Sequence, residues 1–456
     1  MPIARTDSHG RGRPLTSAPW ISVLAATTLI AAGTAARAAD VAEDFSATVT
    51  GGETQISNSV VTNGVLTDET ADSPWQPTVG VRLGVGMRIT GARAVARAGY
   101  GFGLVRFFNP PEMPIAGGSN AVYTTSHEAS VVTDQMLTSR DHLVLGLNGS
   151  VYTLAALPIS VSAMAPTGVP AASNNTHLLG LGAGETWSYE PGGTRRYLQS
   201  LTAGYNRSLD DASQFPQTLQ LVAAGRGEQQ KGRAIYSLTA QLADQMRLDT
   251  PPPTAMTSAF AGTQVWSAQL LAGLGRQLSA TTTIEAQGGV MALYSPALGM
   301  LAMGPAAAAA LNYRRVPWFA TLAVAHGPAL NGYVASATVS DSITARASLP
   351  LNAMETLTLS GGAGYSYSRS VTANNGTGSG FYNTSKLYDA VTLSGYASYQ
   401  FIRAPFAISL EYSLIDQRGY SNADSFAPSI RRRYLGIAVS GRFSTDRVER
   451  ARTSVR

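Results

Sequence analysis

Residues Thr78 to Thr90 read TVGVRLGVGMRIT. Val79, Val81, Leu83, Val85, Met87 and Ile89 take every second position, and Gly80, Arg82, Gly84, Gly86 and Arg88 fill the places between. Successive side chains of an extended chain point to opposite faces, so this period of two predicts a strand with one apolar face and one small or polar face. The next stretch repeats it. Ala94, Ala96, Ala98, Tyr100, Phe102 and Leu104 oppose Arg93, Val95, Arg97, Gly99, Gly101 and Gly103. A turn near Thr90-Gly91 joins the two into a hairpin.

Working outward, the same pattern recurs to the end of the chain, and the breaks between segments alternate in length. Short, turn-rich breaks fall at residues 139–141, 190–193, 228–232, 278–281, 314–317, 349–353 and 402–405. Longer polar connections fall at 109–120, 158–174, 249–262, 327–332, 370–385 and 419–429. Gly, Pro, Asn, Asp and Ser cluster in these breaks, as turn chemistry requires. Strands joined by short turns at one end and long loops at the other predict an all-β transmembrane antiparallel up-and-down β-barrel. A soluble secreted β-sandwich or solenoid is the competing reading, but it does not predict the asymmetry of the breaks.

About seventeen strands follow Thr78. A bacterial barrel takes an even number, so one strand is expected earlier, from Asp44–Gly51 or the stretch up to Leu66, giving 18. Merging two candidates between Ala302 and His326 would give 16. The organisation expected is therefore residues 1–38 as a signal peptide, 39–75 as an N-terminal segment (first strand, loop or periplasmic extension), 76–443 as the barrel and 444–456 as a periplasmic tail.

Composition agrees with this reading. Charged residues are 13% of the 456, about half the ~25% of soluble domains. There is no cysteine, which removes disulfides, thiolate metal sites, cysteine nucleophiles and a lipoprotein anchor. Arg5, Arg11 and Arg13 precede an apolar run from Trp20 to Ala32 and the small-residue site Ala36-Arg37-Ala38, the layout of a secretory signal. Its removal leaves 29 basic and 27 acidic side chains, so nucleic acid is not an expected partner.

The last strand, RYLGIAVSGRF from Arg433 to Phe443, puts Leu435, Ile437, Val439, Gly441 and Phe443 on one face and ends on an aromatic. It resembles the C-terminal assembly signal of Gram-negative outer-membrane β-barrel proteins, with a thirteen-residue tail, Ser444 to Arg456, beyond it. The preceding hairpin, Leu387–Phe401 and Phe406–Asp416, is similar to hairpins of porin-like barrels. The resemblance implies a cell outer membrane location, lipid and lipopolysaccharide around the barrel, recognition of Phe443 by the barrel assembly machinery, small solutes as cargo, and a homo-oligomer as in many porins.

Outward positions are expected to carry aromatics at the membrane interfaces, among them Trp266, Trp318, Tyr365, Tyr412, Tyr434 and Phe443. Inward positions are small and polar, as at Ser200, Thr202, Gly204 and Asn206. A ring of 16–18 strands is too wide to be filled by its own side chains, so water fills it unless a loop folds inward as a plug. Parity places Arg82, Arg88, Arg93 and Arg97 together on the lumen wall, as a basic ladder favouring anions. The alternative is a structural one, with carboxylates such as Glu285 and Glu411 neutralising them. Arg431-Arg432-Arg433 begins the final strand on the external side and fits lipopolysaccharide phosphates or a solvated loop base.

No catalytic, metal or cofactor motif is present. His127, His142, His177 and His326 stand outside any nucleophile or metal pattern, and no enzyme activity or cofactor is expected. The function expected is a channel for small hydrophilic, including anionic, solutes. The alternatives are a dedicated export barrel, for example for exopolysaccharide, and a non-transporting surface or structural barrel.

Overall fold

The computed structural model describes residues 40–62, 65–70, 75–108, 123–153, 177–209, 217–249, 264–296, 300–331, 336–351, 357–372, 379–381, 383–403, 405–420 and 430–445. The proposed signal peptide, most of the tail and most of the long connections lie outside them.

Every regular element among the described residues is a strand. In chain order they are β1 (Asp40–Thr62), β2 (Val65–Thr70), β3 (Gln76–Thr90), β4 (Ala94–Phe107), β5 (Tyr123–Met136), β6 (Asp141–Thr153) and β7 (His177–Tyr189). Then come β8 (Arg195–Ser208), β9 (Thr218–Lys231), β10 (Ala234–Arg247), β11 (Gln264–Gln277), β12 (Thr282–Ser295), β13 (Met300–Arg315) and β14 (Trp318–Asn331). The last are β15 (Ser336–Pro350), β16 (Leu357–Thr372), β17 (Ser379–Phe381), β18 (Asn383–Arg403), β19 (Phe406–Tyr420) and β20 (Ile430–Ser444).

Antiparallel ladders run from β3 to β4 and onward, neighbour to neighbour, through β16, then to β18, β19 and β20. β1 closes the ring. It pairs with β3 from Asp40↔Thr90 to Thr54↔Gln76 and with β20 from Asp44↔Ser444 to Asn58↔Ile430. Eighteen strands therefore form a closed cylinder in which no strand is left as an edge, the one arrangement by which a sheet satisfies its backbone polar groups in hydrocarbon. The missing first strand is thus Asp40–Thr62, and β13 and β14 are two strands rather than one. β2 folds back on the end of β1, and β17 pairs in parallel with β13; both are additions to the ring.

The turns 91–93, 137–140, 190–194, 232–233, 278–281 and 316–317 all lie at one end, with the start of β1 and the end of β20. Gly232, at a φ of 62°, takes the left-handed conformation that the two-residue link between β9 and β10 requires. A typical fourteen-residue strand at about 3.4 Å per residue, tilted by about 40°, rises roughly 35 Å, which suits a hydrocarbon layer of about 30 Å.

Alternation in each strand becomes two continuous surfaces. Val85 stands beside Phe45 and Tyr100, Leu201 beside Ala223, and Leu270 beside Val290. This apolar face points outward, where the convex wall leaves it open: Leu242 is 59% exposed, Leu274 57% and Ile437 53%. So much uncovered apolar surface, encircling the molecule, requires a non-aqueous surround. Aromatics mark its borders. Trp187, Tyr189 and Tyr197 stack near the short turns at 5.8 and 6.3 Å, and Arg106 lies over Phe108 and Tyr123 near the long loops.

Tyr434 departs from the expected outward aromatics. It alternates with Leu435 and faces inward, its ring lying over Gly436 and Gly52 and its hydroxyl bonded with Thr50. A Cβ at either glycine would run into that ring, so the aromatic covers backbone the two glycines leave bare. The aromatic residue type suggested the interface, but parity decides the face.

A second departure concerns residues 327–332, expected as a long polar connection. β14 instead runs on to Asn331 and pairs with β15 up to Asn331↔Ser336. Its ladder with β13, however, stops at Ala307↔His326. Above that level β14 parts from β13, while β15 stays paired with β16 up to Thr338↔Ser370. Val339 shares parity with outward Ile343, yet it is 0% exposed and packs in one cluster with Val265, Leu271, Met291, Leu293, Ala302 and Ala306. Those six belong to the inner face of β11–β13. A Cβ on Gly327 would sit 3.0 Å from the Gln269 amide, also on that inner face. The wall therefore overlaps itself: the outer half of β14–β15 lies inside the barrel, against β11–β13.

Candidate functional site

Buried polar residues on the inner face, among them Gln76, Thr78, Thr124, Ser237, Ser267 and Ser413, crowd together because a concave wall brings side chains closer. With strands about 4.8 Å apart, an eighteen-strand ring of circular section measures roughly 35 Å between backbones. The wall's own side chains cannot span that width.

The β3–β4 part of this wall carries the arginines. Arg88 and Arg97 are direct cross-strand partners, and Arg93 lies in the turn that joins the two strands. Arg93 and Arg97 are exposed and Arg88 is half-buried. Arg82, higher on β3, donates through Nη2 to Glu128 Oε2 at 2.6 Å, reaching across β4 to β5. It can do so because Gly101 and Gly103 put no side chain in between. Half-exposed on both sides, this ion pair contributes at most about 1 kcal/mol. Like charges placed opposite each other on a strand pair repel, which sets Arg88 and Arg97 apart from the oppositely charged pair of Arg82 and Glu128.

The carboxylates expected to answer the arginines lie elsewhere. Glu285, on β12, accepts from Arg226 Nη2 at 2.5 Å, from Gln287 at 2.6 Å and from Ser237 at 3.1 Å. Glu228 takes the Nε of the same Arg226 at 2.6 Å. Arg226 is thus held by two carboxylates in a partly buried network, and Gly273 leaves the room: a Cβ there would meet both Ser237 and Gln287. Glu411 accepts from Ser409 at 2.9 Å on β19, on the far side of β20 and β1 from β3.

Sequence reasoning missed Glu128, Arg226 and Glu228. The signal for Arg226 was available, since it alternates with outward Gly225 and Gly227 just as Arg82 alternates with Val81 and Leu83. Glu228 was read as part of a turn, because polar residues at its end of β9 mask the strand.

Arg431, Arg432 and Arg433 lie at the long-loop end of β20, opposite Ser57, Ile56 and Gln55 of β1. Arg433 donates to Gln55 Oε1 at 3.3 Å. Phe443, outward and opposite Phe45, meets Phe406 edge-on at 6.0 Å. The histidines are dispersed. His142 meets Asp134 at 3.0 Å, His326 meets Asp341 at 2.6 Å, and His127 meets the Tyr100 hydroxyl at 2.7 Å. No cluster of three metal-binding side chains occurs among the described residues.

No protein-family model matches the chain, and no curated protein matches it. Solved structures do. The outer membrane protein OpdK from Pseudomonas aeruginosa matches with a TM-score of 0.40 at 12% identity, over 89% of this chain and 99% of its own. OccAB4 from Acinetobacter baumannii gives 0.41 at 9%, over 88% and 98%. A variant of the ferric enterobactin receptor PfeA from Pseudomonas aeruginosa gives 0.44 at 9%, over 89% and 81%.

Proposed function

We propose that this chain is an outer-membrane channel through which small hydrophilic solutes diffuse, with a preference for anions set by Arg82, Arg88, Arg93 and Arg97. The observation that carries it is the closed eighteen-strand ring with an apolar outside and a polar, basic-patched inside. An even-numbered antiparallel barrel with short turns at the end bearing its termini is the form that bacterial outer-membrane proteins take. A passive channel needs only a wet bore and a biased potential, and charged rings supply the bias. Within this reading Arg431 and Arg433, at positions of outward parity, contact lipopolysaccharide phosphates, Arg432 falls at a position of lumen parity, and Phe443 is the assembly signal.

The test is the reversal potential of the refolded protein in a planar bilayer under a salt gradient. Open steps with anion preference are expected, and Arg82→Gln with Arg97→Gln should reduce that preference. A folded barrel that passes no current under any condition contradicts the channel and favours an export or surface role.

A further inference from the structure

The overlapped wall sets up a competition for one strand edge. β13 continues for seven residues above its last partner on β14, from Ala306 to Met300, and β14 continues for five, from Gly327 to Asn331. If the ladder carried on in its own register, Pro305 would face Pro328, Met303 would face Leu330 and Ala302 would face Asn331. Proline has no N–H to give. Two prolines facing each other leave neither strand a donor at that step, so parting the wall there costs little. Both prolines sit in intact ladders on their other sides, Pro305 opposite Val290 and Pro328 opposite Val339.

The edge that β14 gives up is not empty. β17, from the connection between β16 and β18, pairs with Leu301, Ala302 and Met303 of β13. Two of these, Met303 and Ala302, are the positions that Leu330 and Asn331 of β14 would reach. One stretch of β13 therefore has two mutually exclusive partners, and β14 can take its place in the wall only if β17 leaves. The inward form is held besides by Val339, fully buried in one apolar cluster with residues of β11, β12 and β13. The level of bending is fixed by the last wall pair, at His326, followed at once by Gly327, where any larger residue would press on Gln269.

We propose that the ends of β14 and β15 beyond the His326–Asp341 pair, moving together with the end of β16 that stays laddered to β15, form a gate: folded inward with β17 on β13 they narrow the lumen, and with β14 paired to β13 in place of β17 they widen it. The gate rests on the channel reading above, because narrowing matters only if solute passes. It is a two-state element whose forms exchange one short ladder for another, the kind of packing change that switches between discrete arrangements rather than deforming smoothly.

The chain has no native cysteine, so the two forms can be trapped separately. Met303→Cys with Leu330→Cys places thiols that face each other only in the wall-paired form. Gln269→Cys with Gly327→Cys, joined by a short bis-maleimide that alkylates both thiols, holds the inward form. On the full-length refolded protein treated with an added thiol oxidant such as copper phenanthroline, the first pair is expected to form a disulfide, seen as a mobility shift on a gel, and to raise single-channel conductance at least ~2-fold in a manner reversed by reductant. Bridging the second pair should leave conductance at the low level and remove the excursions to the high one. A steady current with no disulfide at 303–330 overturns the gate and leaves the channel standing. A disulfide that forms without changing that current also overturns it. A disulfide in a barrel that never conducts keeps the alternative pairing and overturns the channel, and with it the gate.

Discussion

The wall formed by β3, β4 and β5 and the wall formed by β11, β12 and β13 obey the same period of two, yet they end in opposite states. On the first, the positions between the apolar ones are chiefly Arg, Gly, Ser, Thr and Glu, and Arg82 and Glu128 stay half-exposed in a pair of their own. On the second they include Val265, Leu271, Met291, Leu293, Ala302 and Ala306, and all of these are buried. An apolar stripe inside a wet cylinder is unstable unless something apolar covers it. Here the cover is the sheet itself, turned back at His326–Gly327. Alternation thus specifies the barrel, and failure of alternation specifies where the barrel must fold on itself.

Burying a charge should separate the two walls most sharply. Leu293→Asp puts a carboxylate in a 1%-exposed apolar site and is expected to cost about 3 kcal/mol or more. Ser130→Asp, on the water-facing side of β5, should change stability by about 0.5 kcal/mol or less. Denaturant midpoints of the two refolded variants give the comparison, and equal losses would break it.

The carboxylates come next. Glu285→Gln takes one of two charged partners from the part-buried Arg226 and should cost about 1–3 kcal/mol. Glu128→Gln, in the half-exposed pair with Arg82, should cost no more than about 1 kcal/mol. Its electrical effect is expected to be the larger sign of its role: releasing Arg82 should raise anion preference in a salt gradient, opposite in sign to Arg82→Gln. A comparably small effect is expected of Phe406→Leu, which keeps apolar bulk beside Phe443 and gives up only an edge-on ring contact. About 1 kcal/mol is expected, read from the heat-modifiable gel shift.

The contrast also marks what could be read from residues alone. Thr78–Thr90 and Ala94–Leu104 gave parity, faces and a hairpin, because regular alternation has one solution next to a membrane. The eighteenth strand was legible only as a requirement of closure, since β1 is interrupted by Gly51 and Gly52 and reads as a loop. Tyr434 was misassigned from its type, although its odd spacing from Leu435 and Ile437 put it inside. The stretch MLAMGPAAAAAL from Met300 to Leu311 is apolar at nearly every position. That was the sign that β13 is covered on both faces. It says nothing of what covers it, because the partner, Val339, lies on a strand whose own alternation looks ordinary. Long-range ion partners such as Glu128 for Arg82 depend on which glycines clear the space between strands, information that exists only once strands are in register.

The most direct measurement of the central claim uses two neighbours on β8. Leu201 belongs to the apolar face and Thr202 to the lumen face, and both are exposed. In the refolded protein in bilayers, a cysteine at Thr202 is expected to react with a charged, membrane-impermeant thiol reagent and one at Leu201 with a lipid-soluble reagent only. Equal aqueous labelling at both positions, or the reverse pattern, would contradict a barrel that is wet inside and lipid-facing outside.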